Sequence, residues 1–114
     1  MTVLVIAEHD NQNIKTSTLN TITAAQKISD EIHLIILGRG IEALVNDAKS
    51  IHVLSKVLKC DNEKLENFIP EISAPIIASV SSNYSHILAP ASTFGKNLLP
   101  RISALLDITQ VSDV

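Results

Sequence analysis

The chain of 114 residues is poor in most of the residue types that announce chemistry: one cysteine, no tryptophan, three glycines and only 3% aromatics. A lone Cys60 cannot form an internal disulfide, and no CxxC or Cys/His spacing suited to zinc occurs. A reducing compartment is expected. The scarcity of aromatics removes the stacking platforms used by single-strand nucleic-acid binders. Nine Lys and Arg against twelve Asp and Glu give a formal net charge of -3, scattered along the chain, so no basic face forms to neutralise phosphates. Nucleic acid is not expected as a partner. The longest apolar runs, such as Val3 to Ala7 and Leu34 to Leu37, fall far short of the roughly 20 residues a helix needs to cross a bilayer. Met1 and Thr2 lead straight into the first apolar run, without room for a signal or transit peptide, so a bacterial cytoplasmic protein is expected.

What is present is enough for one core. With 46% hydrophobic and 18% charged residues, a chain of this length buries roughly two-thirds of its unfolded surface as a single domain. Four short β-rich runs recur at Thr2 to Ala7, Ile32 to Leu37, Lys56 to Lys59 and His86 to Ala89. Segments with helical spacing separate them, the alternation of parallel βαβ units, so the fold class is α/β with a parallel sheet. The first helical stripe is Leu19, Ile22, Ala25 or Gln26, and Ile28; the second is Ile41, Leu44, Val45 and Ala48. The third segment, Leu65 to Ser82, contains Pro70 and Pro75 and is expected to break or to start late. The fourth carries Phe94, Leu98, Leu99, Ile102, Leu105 and Leu106, with Pro100 predicting a kink or a second start. Ile108 to Val114 resembles the approach to a fifth strand that does not complete.

Candidate sites are few. Gly38-Arg39-Gly40 lies at a strand-to-helix turn whose N–H groups could hold a phosphate, but Ala43 stands where a dinucleotide fingerprint wants its third glycine, and the motif belongs after the first strand. A plain glycine turn is the favoured reading. Gly95-Lys96 is not the end of a P-loop, because Asn97 replaces the magnesium-binding Ser or Thr and Pro90 the leading glycine. Ser92, just past a strand, either caps the next helix, which is favoured, or touches a ligand at the sheet's switch point. Lys96 and Arg101 are read as solvated or interfacial charges that leave an anion contact open. The histidines at 9, 33, 52 and 86 have no i, i+4 pair, so no metal site is expected. A triad of Ser92, His86 and Asp107 lacks a nucleophile elbow, and Cys60, with Asp61 and Glu63 close by, is a weak nucleophile. No catalytic residue is assigned.

Specific wording adds a family. Val3-Leu4-Val5-Ile6-Ala7-Glu8-His9 with Leu19-Asn20-Thr21-Ile22-Thr23-Ala24-Ala25 resembles the start of the electron transfer flavoprotein alpha subunit. The block from His86 through Pro90-Ala91-Ser92-Thr93-Phe94-Gly95-Lys96-Asn97 to Ile102, with Val111-Ser112-Asp113-Val114, resembles the family's most recognisable stretch. The resemblance implies a Rossmann-like sheet of the adenine-nucleotide-hydrolase type that pairs with a beta subunit. It also implies electron traffic from flavin dehydrogenases, such as those acting on acyl-CoA, to a membrane quinone reductase.

The resemblance further implies that FAD is held mainly by a carboxyl-terminal domain beyond Val114, so no cofactor is expected on residues 1–114. Ser92, Gly95 and Lys96 remain the only switch-point candidates. The domain is expected to continue with further strands, making His86 to Ala89 an edge through which the chain self-associates. In a eukaryote the compartment would be the mitochondrial matrix. The alternative function is a stand-alone adenine-nucleotide-binding domain, for which Pro90 to Asn97 supplies only one glycine.

Overall fold

The computed structural model describes residues 1–106 and 111–113. Its strands are β1 (Thr2–Ile6), β2 (Glu31–Gly38), β3 (Lys56–Asp61), β4 (His86–Ala89) and β5 (Val111–Asp113). They form one parallel sheet in the order β3-β2-β1-β4-β5. The helices are α1 (Thr16–Gln26), α2 (Glu42–Lys49), α3 (Pro70–Val80) and α4 (Thr93–Leu106).

β1 is the central strand, and Val3, Leu4, Val5 and Ile6 are all fully buried. A parallel strand covered on both faces needs an unbroken apolar run, which is what this sequence supplies. Because side chains alternate, Val3 and Val5 pack with Ile22 and Ala25 of α1 and with Leu44, Val45 and Ala48 of α2. Leu4 and Ile6 pack on the other face with Ala74 and Ile77 of α3 and with Leu98, Leu99 and Ile102 of α4. The sheet is therefore wound on both sides, as the alternation of elements predicts. β3, at one edge, exposes Lys56 and Lys59, charges that discourage pairing with another chain.

Four expectations need correction. The α1 stripe is rotated: Leu19 is 44% exposed, and the buried residues are Thr18, Thr21, Ile22 and Ala25. Buried threonines are tolerated here because both hydroxyls are bonded, Thr21 Oγ1 donating to the Ser17 carbonyl at 2.8 Å and Thr18 Oγ1 to the Glu8 carbonyl at 2.9 Å. α4 runs unbroken through Pro100, so the proline does not start a second helix. The carbonyl that it leaves without its helical N–H, on Lys96, belongs to the exposed side of the helix, where the lost bond costs little.

The third and fourth corrections concern β4 and Ser92. β5 pairs with Ile87, Leu88 and Ala89, so β4 is an interior strand, and the edge expected to drive self-association is covered. Ile108 to Gln110, the approach to that strand, lie outside the described residues. Ser92 precedes α4, but its hydroxyl donates to Glu8 instead of capping the helix. Pro70, by contrast, opens α3 as its first residue, the late start that the sequence indicates.

Candidate functional site

The order β2-β1-β4 sends the chain from β1 into α1 on one face and from β4 into α4 on the other. The crevice beyond β1 and β4 is thus the switch point at which open α/β sheets bind their ligands. Glu8 stands in it, two residues past the end of β1. Its main chain is fixed to α1: its N–H donates to Thr18 Oγ1 at 2.8 Å, and its carbonyl accepts from Thr18 Oγ1 and from the Lys15 N–H. Its side chain is 14% exposed. Oε1 accepts hydrogen bonds from Ser17 and Ser92, each at 2.9 Å, and Oε2 lies 3.7 Å from Lys15 Nζ. Ser17 is in the first turn of α1, a helix with no capping side chain and no acidic residue of its own in that turn. Ser92 immediately precedes α4. Glu8 therefore places a negative charge at the positive ends of two helices.

From Glu8 the chain makes a tight loop. Asp10 Oδ1 accepts from the N–H groups of Gln12 and Asn13, and these bonds, the one from Asn13 first, hold its carboxyl below the usual range. Asn11 takes a positive φ of 75°, which asparagine tolerates, and its Nδ2 donates to the Arg39 carbonyl at 3.0 Å. His9 Nδ1 accepts from the Asn11 N–H, so Nε2 carries the proton donated to the Leu37 carbonyl at 2.8 Å. The loop after β1 is thereby tied to the end of β2.

The turn after β2 holds a second carboxylate. Asp61, the last residue of β3, accepts from the N–H of Gly40 at 2.9 Å and from that of Ile41 at 3.1 Å. These two amides are the first cause of the lowered pKa of Asp61. Gly38-Arg39-Gly40 is the glycine turn that the sequence favours, with Gly40 at a φ of 66°, and the amides that could have held a phosphate face Asp61. That assignment was not legible from spacing, because Asp61 arrives from a strand more than twenty residues downstream.

Between the loop after β1 and the starts of α3 and α4 lies a cleft of about 460 Å³. Glu8, Asp10, Lys15 and Glu66 line its polar side, while Ile77 and Leu98 form its floor. Phe68 and Phe94, with ring centroids 4.6 Å apart, form one wall. Gly95 is buried just behind: a Cβ there would lie 2.0 Å from the Pro90 carbonyl oxygen, so α4 closes on its preceding loop only because residue 95 has no side chain. Lys96 is exposed, and Arg101 pairs with Glu71 at 2.8 Å. Ser92 is the one switch-point candidate that touches the crevice through a side-chain bond, and Glu8, its partner, is the residue that sequence reasoning missed.

The histidines are dispersed. His9 sits by the end of β2, and His52 is exposed. His33 Nδ1 is 2.8 Å from the Tyr84 hydroxyl, whose pKa burial pushes up, and His86 Nδ1 is 3.0 Å from Ser85 Oγ. His86 starts β4 and Ser92 follows its end, so these two members of the considered triad are separated by the strand's length. Asp107 lies outside the described residues. Cys60 is half-buried on β3.

Comparison with known proteins agrees with this picture. The family described as electron transfer flavoprotein domain matches residues 3–114. An electron transfer flavoprotein subunit alpha from Pseudomonas aeruginosa is 46% identical over 114 residues, covering 100% of this chain and 37% of the relative. A mitochondrial electron transfer flavoprotein subunit alpha from Dictyostelium discoideum is 40% identical, covering 99% of this chain and 34% of the relative. One from Arabidopsis thaliana is 39% identical, covering 100% and 33%. The chain thus spans about a third of the length of the curated relatives it matches, and it corresponds to their amino-terminal part. A doubly wound parallel sheet and a match over nearly every residue lead to one conclusion: the chain belongs to the electron transfer flavoprotein domain family and is similar to the amino-terminal domain of its alpha subunits.

Proposed function

We propose that residues 1–114 act as the scaffold and subunit-pairing domain of an electron transfer flavoprotein alpha subunit. In this reading the domain pairs with a beta subunit. The resulting heterodimer carries electrons from flavin dehydrogenases, such as those acting on acyl-CoA, to a membrane quinone reductase. It works in the bacterial cytoplasm, or in the mitochondrial matrix of a eukaryote. The observation that carries the reading is the alignment of the whole chain with alpha subunits about three times its length.

The cofactor of such a protein is FAD, whose isoalloxazine supplies the redox chemistry when bound. The residues of this chain do not fit it. A dinucleotide at the switch point needs free N–H groups and positive charge for its pyrophosphate, whereas here the Glu8 carboxylate stands beside Lys15 and takes the hydroxyls of Ser17 and Ser92, and after β2 Asp61 takes the amides of Gly40 and Ile41. No catalytic role falls to Ser92, Gly95 or Lys96 in this reading: Ser92 and Gly95 build the turn that sets α4 on the sheet. Among the described residues no helix is long and apolar enough to cross a membrane, which suits a carrier that meets its membrane partner from solution.

The test compares two proteins. The full-length subunit containing this segment, co-expressed with a beta subunit, should elute as one yellow complex. The 114-residue chain should be colourless. Stoichiometric flavin on the short chain, or failure of the full-length subunit to associate with any beta subunit, would overturn the proposal.

A further inference from the structure

We propose that His9 is a proton-sensitive latch: its neutral imidazole holds the loop after β1 against the end of β2, and a proton taken up at Nδ1 releases that loop together with the cleft wall it forms. This latch is independent of the subunit-pairing role. Both ring nitrogens are engaged by main-chain groups whose roles are fixed. The Leu37 carbonyl can only accept, so Nε2 carries the proton at 2.8 Å; the Asn11 N–H can only donate, so Nδ1 offers its lone pair at 3.0 Å. Only the neutral ring protonated on Nε2 satisfies both. The imidazolium has two donors and would set one N–H against another.

The loop is closed on itself and attached elsewhere at few points. Within it, Lys15 N–H donates to the Glu8 carbonyl, Asp10 N–H to the Asn13 carbonyl, and Gln12 and Asn13 N–H to Asp10 Oδ1. Among the described residues, the bonds of residues 9–13 to β2 and its turn are those of His9 to Leu37 and of Asn11 Nδ2 to the Arg39 carbonyl. Asn11 stands at a φ of 75° with its N–H on His9, so losing Nδ1 as an acceptor loosens both attachments at once. Residue 38 is shaped for the ring: a Cβ there would lie 3.1 Å from His9 Cε1 and 3.3 Å from Nε2, so the imidazole seats against glycine. His9, Asp10 and Asn11 line the cleft, and the latch thereby sets the position of one of its walls. The charged groups around it are Glu8, Asp10 and Lys15 in the same segment, Arg39 after β2, Glu66 paired with Arg39, and Asp61 on the Gly40 and Ile41 amides. None of these side chains bonds the ring, and α3 and α4 line the cleft without a titratable side chain.

The test follows the 114-residue chain by heteronuclear NMR between pH 8 and pH 5, the interval in which an imidazole changes charge. At pH 8 the His9 ring should show the Nε2–H tautomer, with through-space cross-peaks from the ring to the Gly38 α protons and from the Asn11 side-chain amide to the backbone of Arg39. As His9 takes up its proton both sets should be lost, while cross-peaks of the β1–β2 ladder persist. His9→Gln can still accept from Asn11 and donate to Leu37 but does not titrate, so it should keep the Asn11–Arg39 cross-peaks at both pH values. That variant retains Glu8, Asp10 and Glu66 and so separates the imidazole from the carboxylates. His52→Gln, at an exposed histidine, should respond like the unsubstituted chain. The Nδ1–H tautomer at pH 8, a ring still neutral at pH 5, cross-peaks that survive protonation of His9, or a His9→Gln that keeps them at pH 8 and loses them at pH 5 would each overturn the inference. If His9→Gln does not fold or does not dock the loop at pH 8, the unsubstituted chain decides by itself, through its tautomer and through the coincidence of cross-peak loss with protonation of His9.

Discussion

Two turns at the carboxyl edge of the sheet solve the same problem with different means. After β2, Asp61 satisfies the amides of Gly40 and Ile41 from an exposed position, joining neighbouring segments of β2, α2 and β3. After β1, Glu8 satisfies hydroxyls carried by α1 and by the start of α4, elements on opposite faces of the sheet, from a position largely out of water. The contrast teaches that a carboxylate's weight depends on what it joins and on how dry it is. A bond between neighbours in an exposed turn is screened and local. A bond across the switch point fixes how two layers sit on one sheet.

The sharpest way to break the β1/β4 corner is Gly95→Val. The clash is with backbone, the Pro90 oxygen at 2.0 Å from the position of a Cβ, so no rotamer relieves it and α4 must move. A loss of about 3 kcal/mol, the upper end of the usual overpacking range, is expected in urea unfolding. An unchanged midpoint would mean that the turn is not as tight as described. Glu8→Ala comes next, at about 1–2 kcal/mol, because Ser17 and Ser92 lose their acceptor in a partly buried place. A loss no larger than that of an exposed substitution would deny the corner its special standing.

Asp61→Asn probes the other turn, and its effect should depend on pH. The carboxyl of Asp61 titrates below its usual range because the Gly40 and Ile41 amides favour the ionised form. Its contribution is therefore present above the unfolded-state pKa, about 4, and is lost as pH falls through the lower folded-state value. The stability gap between the two proteins should be steady near neutrality and close below about pH 4. A gap that persists in strong acid would show that the side-chain shape, not the charge, matters. Lys96→Ala is expected to have the smallest effect, within about 0.5 kcal/mol, since the side chain is exposed. A loss matching that of Gly95→Val would point to a ligand-linked lysine instead.

Much of the architecture is legible in the residues. Val3 to Ile6, a short β-rich apolar run, reads as a strand and is one, and Leu44, Val45 and Ala48 mark the buried side of α2. Elsewhere the pattern misleads for identifiable reasons. Leu19 looks like part of the α1 stripe, yet α1 turns its threonines inward because Thr18 bonds the backbone of Glu8, an advantage that hydrophobic periodicity does not register. Pro100 looks like a helix break, but a missing bond on a solvent-facing side costs little of what it would cost inside. Glu8 itself follows an apolar run and carries no motif that distinguishes it from any polar residue at the end of a strand.

The sequence by itself determined the α/β class, the parallel sheet, the glycine turn after β2 and the membership of a family, because these follow from periodicity, turn chemistry and wording, all local properties of the chain. The tertiary structure alone decided that β4 is covered by β5, that Asp61 fills the turn at Gly40, and that Glu8 meets Ser92 across 84 positions of sequence. Such meetings depend on strand order and on the faces to which helices return. A carboxylate and a hydroxyl far apart in the chain carry no mark of one another until the sheet has brought their strands side by side.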